Sequence, residues 1–392
     1  MSKAQVAIIG TGEVPFGNYP ERTDWDMIID SSKQAIEDAG ISKDDVEAVI
    51  PILPLAQSRL ASEVGFGLIP DELGLKNCKS NVVVSAGGAS GTNGIRMAAH
   101  LIEHGIAKTV LVTAATWHSA IPLQEKIKFF ATAGVNLEWE YPYGMTYNGL
   151  MAMMTARYMH ETGATPEEIA SVCVAWRKWA ELDPNAMFRK PLTIEQVLES
   201  RMITTPLHMF ECNVLADGGS AIIVSAPDIA KEITDKAAYK LSDVEVWCKG
   251  SVTQRPDILT RKQMNEACTK AYDQAGLTVD DMSILELYTA YPVWFLTMLE
   301  ETGACERGKG ARFVYDGHTS PGGKMPANTI GEATSRGHNG SGVGLAYYVE
   351  LARQLMGKCG EKQVPNCTNI LSTSGGGSGM NWIGSVWSRE YQ

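Results

Sequence analysis

The sequence predicts an α/β protein built from two similar halves, and three observations lead to this prediction. Residues 35–50 recur at residues 271–286 with the same order of amphipathic helix, glycine and paired aspartates. The segments that begin at Ser90 and Ser341 form a second matching pair, because each opens a run with helical apolar spacing. The chain has 392 residues, of which 44% are hydrophobic and 20% charged, and this is enough for two or more domains with substantial cores.

The repeated elements follow one another as helix, turn and strand in each half. The helices end at Gly40 and Gly276, and polar turns then lead into apolar strands. Glycine is a frequent residue at the end of a helix, where the backbone turns left-handed. Strands that alternate with helices imply mixed sheets covered by helices on both faces. A pseudo-twofold axis between the halves would bring the N-termini of the two matching helices together.

An insertion is predicted to interrupt the first half. We place the halves at residues 1–240 and 241–392, with a lid inserted at about residues 118–205. The lid contains an aromatic-rich stretch at residues 139–147 and a Met-Ala-Met-Met run at residues 151–154. These side chains either belong to the core or line an apolar substrate pocket, and the pattern leaves both interpretations open.

Composition and charge exclude several classes of protein. A net charge of −11 and an isoelectric point of about 5.2 disfavour nucleic-acid binding and a polybasic membrane anchor. No apolar run is long enough to span a bilayer, and residues 4–12 resemble a first strand and glycine turn rather than a signal peptide. The eight cysteines lack the close pairs of a zinc site or a disulfide framework. We therefore expect reduced thiols, no metal site, no bound cofactor and a cytoplasmic protein.

Gly88 lies where the chain most resembles the turn that carries a catalytic nucleophile. Residues 81–91 are predicted to form a strand that turns into a helix. Backbone N–H groups and the positive end of the helix dipole favour negative charge at such a turn. Because glycine offers no nucleophile, Gly88 is expected to bind an oxyanion through its backbone. The nearby Ser90 is expected to cap the helix, since a serine needs an adjacent base to become nucleophilic.

Six short motifs together resemble the thiolase superfamily, in particular its sterol-carrier-protein type. The motifs are Ala7-Ile-Ile-Gly-Thr-Gly12, Gly87-Gly-Ala-Ser-Gly91, Asp217-Gly-Gly-Ser-Ala221, Glu286-Leu-Tyr-Thr-Ala-Tyr291, Gly337-His-Asn-Gly-Ser-Gly342 and Ser374-Gly-Gly-Gly377. Each motif is weak alone, but their order and the duplication make the resemblance specific, and it covers essentially the whole chain. It implies a thiolase fold with five αβαβα layers, a homodimer, and acyl-CoA ligands with coenzyme A as substrate or cosubstrate.

The chain departs from the family pattern at three positions. Gly88 stands where a thiolase carries the cysteine that accepts the acyl group, and residues 374–377 lack the cysteine that acts on the α-carbon in condensing thiolases. Tyr288 stands where sterol-carrier-type thiolases carry the histidine of a His-Asp-Cys-Phe-like motif. A covalent acyl-enzyme is therefore not expected. Tyr288 is expected to donate to an oxyanion or exchange a proton with a β-oxygen, or else to be a buried tyrosine with a hydrogen-bonded hydroxyl.

His338 is a polar residue that the chain retains from the family pattern. The resemblance implies that this histidine deprotonates a thiol, and without an enzyme thiol we expect it to deprotonate CoA or polarise a substrate carbonyl. Asn339 and the backbone of Gly376 are expected to complete the oxyanion sites. Glu332 is expected either to orient His338 or to be purely structural. His118 is a supporting candidate, because it follows a predicted strand into the lid.

The predicted function is CoA-dependent thiolysis of a bulky, aromatic or branched β-ketoacyl-CoA, with the thiol of CoA activated by His338. One alternative is retro-aldol cleavage of a β-hydroxyacyl-CoA through Tyr288, since thiolase-like aldolases carry a tyrosine in this motif. Another alternative is a degenerate, non-catalytic scaffold subunit. The resemblance also implies a small partner subunit with a zinc ribbon and an OB-fold that helps to bind CoA.

Overall fold

The computed structural model describes residues 4–52 and 64–391. The strands in these ranges are β1 (Val6–Gly17), β2 (Ala48–Ile52), β3 (Ser80–Asn81), β4 (Thr109–Thr116), β5 (Met202–Thr204), β6 (Leu207–His208), β7 (Asp217–Ser225), β8 (Ala238–Lys240), β9 (Val244–Trp247), β10 (Ile284–Leu287), β11 (Asn369–Gly376) and β12 (Asn381–Ser388). The helices are α1 (Asp24–Asp38), α2 (Gly65–Leu73), α3 (Ser90–Glu103), α4 (Leu123–Thr132), α5 (Tyr147–Thr162), α6 (Pro166–Glu181), α7 (Ile194–Glu199), α8 (Pro227–Ile233), α9 (Arg261–Ala275), α10 (Pro292–Glu301), α11 (Gly310–Tyr315) and α12 (Val343–Met356).

Ten of the strands in the described residues form one mixed sheet, and the pairing pattern is nearly the same on either side of its centre. The order is β10-β11-β12-β8-β1-β7-β4-β2-β3, and β9 also pairs with β12. On each side of the sheet a parallel pair, β10–β11 or β2–β4, is followed inward by two antiparallel pairs, and β3 adds a parallel edge strand next to β2. The antiparallel pair β1–β8 lies at the centre and joins the two copies of this pattern. The mixed sheets expected for the two halves are thus continuous with each other.

The helices cover both faces of the sheet and also fill the space between its two halves. Ile95 of α3 and Leu345 of α12 share a buried cluster with Ile8 of β1 and Ile370 of β11. The next residue of β1, Ile9, belongs to a second cluster that includes apolar residues of α1 and α9. Alternate side chains of a strand point to opposite faces, so α3 and α12 form the central layer and α1 and α9 the outer ones. The predicted αβαβα layering is confirmed.

Both predicted helix–turn–strand units are present. Gly40 and Gly276 follow α1 and α9 with φ of +67° and +68°, a left-handed conformation that glycine adopts without strain. Short 3₁₀ turns at Lys43–Asp45 and Val279–Asp281 then lead into β2 and β10. The boundary between residues 240 and 241 stays a prediction, since a single sheet crosses it.

Residues 118–205 contain helices α4 to α7, and their side chains divide between core and solvent. Met151 and Met154 are buried in the core, whereas Met153 is 46% exposed. Trp139 and Tyr143 are 54% and 86% exposed, so these two side chains belong neither to the core nor to an enclosed pocket. Within residues 4–52 and 64–391, the structure contains no helix with the length and apolar character needed to cross a bilayer.

Candidate active site

The sites predicted from separate motifs meet where helices α3 and α12 begin. A Cβ atom on Gly91 would lie 2.6 Å from the carbonyl carbon of Gly344, and one on Gly344 would lie 2.4 Å from the carbonyl oxygen of Gly88. Real Cβ atoms do not approach other atoms so closely, so the two helices can meet only because these positions lack side chains. The predicted meeting of the two helix N-termini is confirmed.

Tyr288 occupies the space beside Gly88. A Cβ atom on Gly88 would lie 2.1 Å from Cε1 of Tyr288 and 2.7 Å from the carbonyl oxygen of Gly375. The tyrosine ring therefore lies against the backbone at the position where a nucleophilic side chain would begin. Gly88 and Tyr288 are sterically coupled, because any side chain at residue 88 would have to displace the ring or the backbone of β11.

Tyr288 and His338 form a hydrogen-bonded pair. The Oη atom of Tyr288 lies 3.3 Å from Nε2 of His338, and both residues are buried. The backbone N–H of Gly340 donates to Nδ1 of the same imidazole over 3.1 Å. A neutral imidazole whose Nδ1 accepts a hydrogen bond carries its hydrogen on Nε2. His338 consequently directs an N–H group towards Tyr288 and the glycine turn.

Burial keeps both members of this pair neutral. Desolvation, together with a smaller effect of the nearby His118, lowers the pKa of His338 to about 3. Desolvation also raises the pKa of Tyr288 well above its usual value of 10, with smaller contributions from Tyr147 and Glu332. At neutral pH both groups therefore keep their protons: the imidazole N–H donates to Oη of Tyr288, and the phenolic O–H remains as a further hydrogen-bond donor.

We expect the free energy of unfolding to fall as the pH decreases below about 6.5. In the unfolded chain both His118 and His338 take up a proton near pH 6.5, whereas in the folded chain burial lowers their pKa values to about 4 and about 3. Within this window the unfolded state binds more protons, so each histidine contributes a slope approaching about 1.4 kcal/mol per pH unit. Urea unfolding of His338→Asn and His118→Asn between about pH 7 and 5 should give a shallower pH dependence than the wild type. The exposed His160→Gln variant is the control, and identical slopes in all four proteins would contradict this expectation.

Glu332 holds the backbone that follows Tyr288. Its carboxylate accepts hydrogen bonds from the hydroxyl of Thr289 over 3.2 Å and from the N–H of Ala290 over 3.3 Å. The hydroxyl of Tyr347 also donates to it. Burial raises the pKa of Glu332, and these hydrogen bonds oppose the increase. The hydrogen bonds of Glu332 thus form a local clamp on the Tyr288 loop, and the role of Glu332 in the reaction stays a prediction.

Two predicted oxyanion donors are engaged in other hydrogen bonds. The amide of Asn339 donates to the carbonyl oxygen of Gly218 over 3.0 Å, which ties the loop to β7. The N–H of Gly376 donates to Oδ1 of Asn381 over 2.8 Å. These hydrogen bonds hold the shape of the site, and the oxyanion roles of Gly88, Asn339 and Gly376 stay predictions.

Ser90 stabilises the glycine turn rather than capping helix α3. Its hydroxyl accepts the N–H of Ala86 over 2.8 Å and donates to the carbonyl oxygen of Gly87 over 2.6 Å. The residue is fully buried and is the first residue of the helix itself. Ser90 thus has a structural role, although a different one from the expected N-cap.

His118 lies at the carboxyl end of β4, on the other side of the Gly340 turn. Its Nε2 atom is 3.6 Å from the position that a Cβ atom on Gly340 would take. Burial lowers the pKa of His118 to about 4, which Asp217 partly offsets. The structure therefore places His118 next to the loop that carries His338, as expected for a supporting residue, and its role stays a prediction.

The cysteines offer no substitute for the missing nucleophile. All eight have free thiols, and burial raises the pKa of Cys212 to about 12 and that of Cys367 to about 12. A thiol with so high a pKa carries almost no thiolate at neutral pH. The site therefore has Gly88 and no reactive cysteine at the expected position.

Two tyrosines of the site were missed by sequence reasoning. Tyr147 of the lid donates to the carbonyl oxygen of Gly377 over 3.3 Å, and the ring of Tyr347 meets that of Tyr288 edge-on with centroids 5.4 Å apart. Tyr147 was not distinguishable within an aromatic stretch, and Tyr347 lies in a helix whose pattern indicates only core. The phenolic hydroxyl in so apolar a helix is the signal that could have identified Tyr347.

Comparisons with known proteins identify the family of this chain. A family model described as "Thiolase C-terminal domain-like" matches residues 244–389. An acetyl-CoA acetyltransferase of Methanothermobacter thermautotrophicus is 31% identical over 384 residues, which cover 98% of this chain and 99% of that protein. The chain belongs to the thiolase superfamily.

Two further similarities concern thiolase-family proteins with other reactions in their names. The benzoylsuccinyl-CoA thiolase subunit BbsB of Thauera aromatica is 28% identical, with 95% of each chain covered. The solved structure of the Ltp2-ChsH2(DUF35) aldolase is 27% identical with a TM-score of 0.84, covering 99% of this chain and 98% of that chain. The resemblance indicated by the sequence motifs is confirmed, and these relatives support an enzyme that acts on CoA thioesters.

Proposed function

We propose that this thiolase-family chain cleaves the bond between the α and β carbons of a β-ketoacyl-CoA, with the thiol of free CoA as the nucleophile. The observation that carries this proposal is the Tyr288–His338 pair, which lies directly against Gly88. Two neutral donors beside a glycine turn suit a reaction that requires oxyanion stabilisation but no nucleophile from the enzyme.

The chemistry follows from the protons that the pair presents. The thiolate of CoA attacks the β-carbonyl carbon, and the carbonyl oxygen becomes an oxyanion held by the backbone at Gly88 and by Nε2–H of His338, which exchanges its bond with Oη of Tyr288 for one with the oxyanion. The bond between the α and β carbons then breaks, leaving its electron pair on the thioester enolate while a new thioester forms at the former β carbon. The α carbon takes the phenolic proton of Tyr288, which regains one from solvent in place of that released by the thiol. His338 acts in this account as a donor, and not as the base expected from the family pattern.

Retro-aldol cleavage of a β-hydroxyacyl-CoA is the second candidate, and the similarity to the Ltp2-ChsH2(DUF35) aldolase favours it. That reaction requires a base able to remove the proton of an alcohol. Burial raises the pKa of Tyr288 and lowers that of His338 to about 3, so phenolate is scarce and the imidazole is a weak base. A thiol of ordinary pKa is already a few per cent thiolate near pH 7. Thiolysis therefore needs no strong base from the Tyr288–His338 pair, whereas the aldol reaction does.

Aromatic side chains support a bulky acyl group as substrate. The ring of Tyr147 lies with its centroid 5.8 Å from that of Tyr291 and 6.2 Å from that of Trp294. This wall is joined to the site because Tyr147 also bonds to Gly377. Aromatic faces of this kind favour flat or branched apolar groups over a short acetoacetyl group.

Assembly with other chains is part of the same proposal. The family resemblance implies a homodimer and a small subunit with a zinc ribbon and an OB-fold that helps to bind CoA, and the spacing of the cysteines predicts a cytoplasmic protein. The similar aldolase structure is itself described as a complex with ChsH2(DUF35). Co-purification of this chain with such a small protein tests the partner directly, and separate elution of the two would contradict it.

The reaction is tested with two matched substrates that share a phenyl group. We expect the purified chain, alone or with its candidate partner, to convert benzoylacetyl-CoA into benzoyl-CoA and acetyl-CoA only when free CoA is present. Chromatography of the CoA thioesters gives the products. Cleavage of 3-hydroxy-3-phenylpropionyl-CoA to benzaldehyde without free CoA would replace thiolysis by the aldol reaction. Inactivity on both substrates, with and without the partner, would favour a non-catalytic scaffold.

A further inference from the structure

We infer that Glu332 is a positioning residue for Tyr288, acting through the backbone on the far side of that tyrosine. The inference rests on the proposed function, because it presupposes that the hydroxyl of Tyr288 takes part in the reaction. It differs from the two roles expected from the sequence, in which Glu332 either orients His338 or is purely structural.

The first line of evidence is a set of hydrogen bonds on both sides of Tyr288. Glu332 accepts from Thr289 and Ala290, which follow the tyrosine. Asn328 accepts the N–H of Leu287 over 2.8 Å and donates to the carbonyl oxygen of the same residue over 2.7 Å. The side-chain N–H₂ of Asn328 also donates to Glu332 over 2.5 Å. The residues before and after Tyr288 are thus held by one connected pair of side chains.

The second line of evidence is the backbone conformation of this cluster. Asn328, Glu332 and Ala290 have φ of +51°, +53° and +61°, a region that L-residues seldom adopt. Such conformations are unfavourable and persist only where the surroundings enforce them, and they concentrate at functional sites. Here the three residues are linked to one another by hydrogen bonds and enclose the end of β10.

The third line of evidence is the contact with the tyrosine ring. Tyr347 donates its hydroxyl to Glu332, and its ring meets the ring of Tyr288 at an angle of 83°. Glu332 therefore fixes both the main chain beside Tyr288 and one wall of the ring. Gly88 also lies against the ring, at Cε1, and the hydroxyl of the ring held in this way lies 3.3 Å from Nε2 of His338.

In the hydrogen bonds that the structure gives for Glu332, its carboxylate is always the acceptor, and one of these bonds comes from the N–H of Ala333. A carboxylate can accept all of these bonds, whereas an amide of the same shape turns one oxygen into an N–H₂ group that opposes them. Glu332→Gln is therefore a conservative change in volume that specifically breaks the clamp.

We expect Glu332→Gln to lower kcat for benzoylacetyl-CoA cleavage by about 10- to 50-fold, with KM changed less than about twofold. A crystal structure of the variant should show the Tyr288 Oη to His338 Nε2 distance increased from 3.3 Å. In a Tyr288→Phe background the same substitution should change kcat by less than about twofold, because there is no hydroxyl left to position. The milder Thr289→Val removes one hydrogen bond to the carboxylate and should lower kcat by about three- to fivefold. It replaces Glu332→Gln as the test variant if Glu332→Gln does not fold.

A matched control is Glu301→Gln, which alters a buried carboxylate at the end of α10 that is paired with Arg261 and Arg307. It should lower the melting temperature and leave kcat unchanged. A loss of kcat from Glu332→Gln that is equal in the wild-type and Tyr288→Phe backgrounds would overturn the inference, as would wild-type kcat in Glu332→Gln. Wild-type activity in Tyr288→Phe alone would instead overturn the proposed role of Tyr288, so the two failures are distinguishable.

Discussion

Replacement of Tyr288 by phenylalanine is expected to lower kcat by about 10²- to 10³-fold without loss of the fold. The phenyl ring still fills the space beside Gly88, but it has neither a proton for the enolate nor an oxygen for Nε2–H of His338. Because these interactions act in the transition state, KM should change little. Steady-state kinetics with benzoylacetyl-CoA and free CoA, together with thermal unfolding, measure both effects.

The control for this prediction is Tyr272→Phe in α9. The hydroxyl of Tyr272 is buried and has no hydrogen-bond partner within residues 4–52 and 64–391. Its removal should leave kcat unchanged and the stability equal or slightly greater, because no bond is lost. If Tyr288→Phe were as active as this control, Tyr288 would only fill space and the proposed mechanism would have to be abandoned.

Introduction of the family's cysteine at Gly88 is expected to inactivate the protein rather than create an acyl-enzyme. The added Cβ atom would lie 2.1 Å from the Tyr288 ring and 2.7 Å from the backbone of Gly375, so the ring, the strand or both must move. Movement of the ring breaks the pair with His338, and we expect Gly88→Cys to lower kcat by at least about 10²-fold. The overpacking should also destabilise the fold by about 1–3 kcal/mol.

Gly88→Ala separates steric from chemical effects of that substitution. It adds the same Cβ atom without a thiol, so its loss of activity should equal that of Gly88→Cys. Gly67→Ala is the neutral control, because a Cβ atom there meets nothing within 4 Å. Mass spectrometry of Gly88→Cys after incubation with benzoylacetyl-CoA should find no added acyl group. A stable acyl adduct with retained turnover would show that the ring and a thiol can coexist.

The fold was predictable where the signals are local. The helix that ends at Gly40, the matching one at Gly276 and the paired aspartates after each are encoded within a few residues, and both units are present in the structure. The joining of the two copies of the strand pattern into one sheet was not predictable in this way. The pairing of β1 with β8 depends on residues 6–8 meeting residues 238–240, and short apolar strands do not specify their partners.

The site was predictable in its members but not in its connections. Tyr288 and His338 are marked by motifs and do meet, and Gly88 lies beside them. Glu332 is six positions before His338 in the sequence, yet it bonds to Thr289, 43 positions away, because the left-handed turn at Glu332 directs its side chain to the other loop. Hydrogen bonds between distant segments decide which donors are available, and no local pattern encodes them.

The β1–β8 pairing at the centre of the sheet limits how the chain can be divided. A division of the chain before β8 would leave both β1 and β8 without this partner, and β1 is buried along most of its 12 residues. Exposed apolar edges of this kind recruit further strands from other molecules. Two parts of the chain expressed separately on either side of this division are therefore expected to aggregate instead of reassembling. The two copies of the strand pattern would then fold only as one unit.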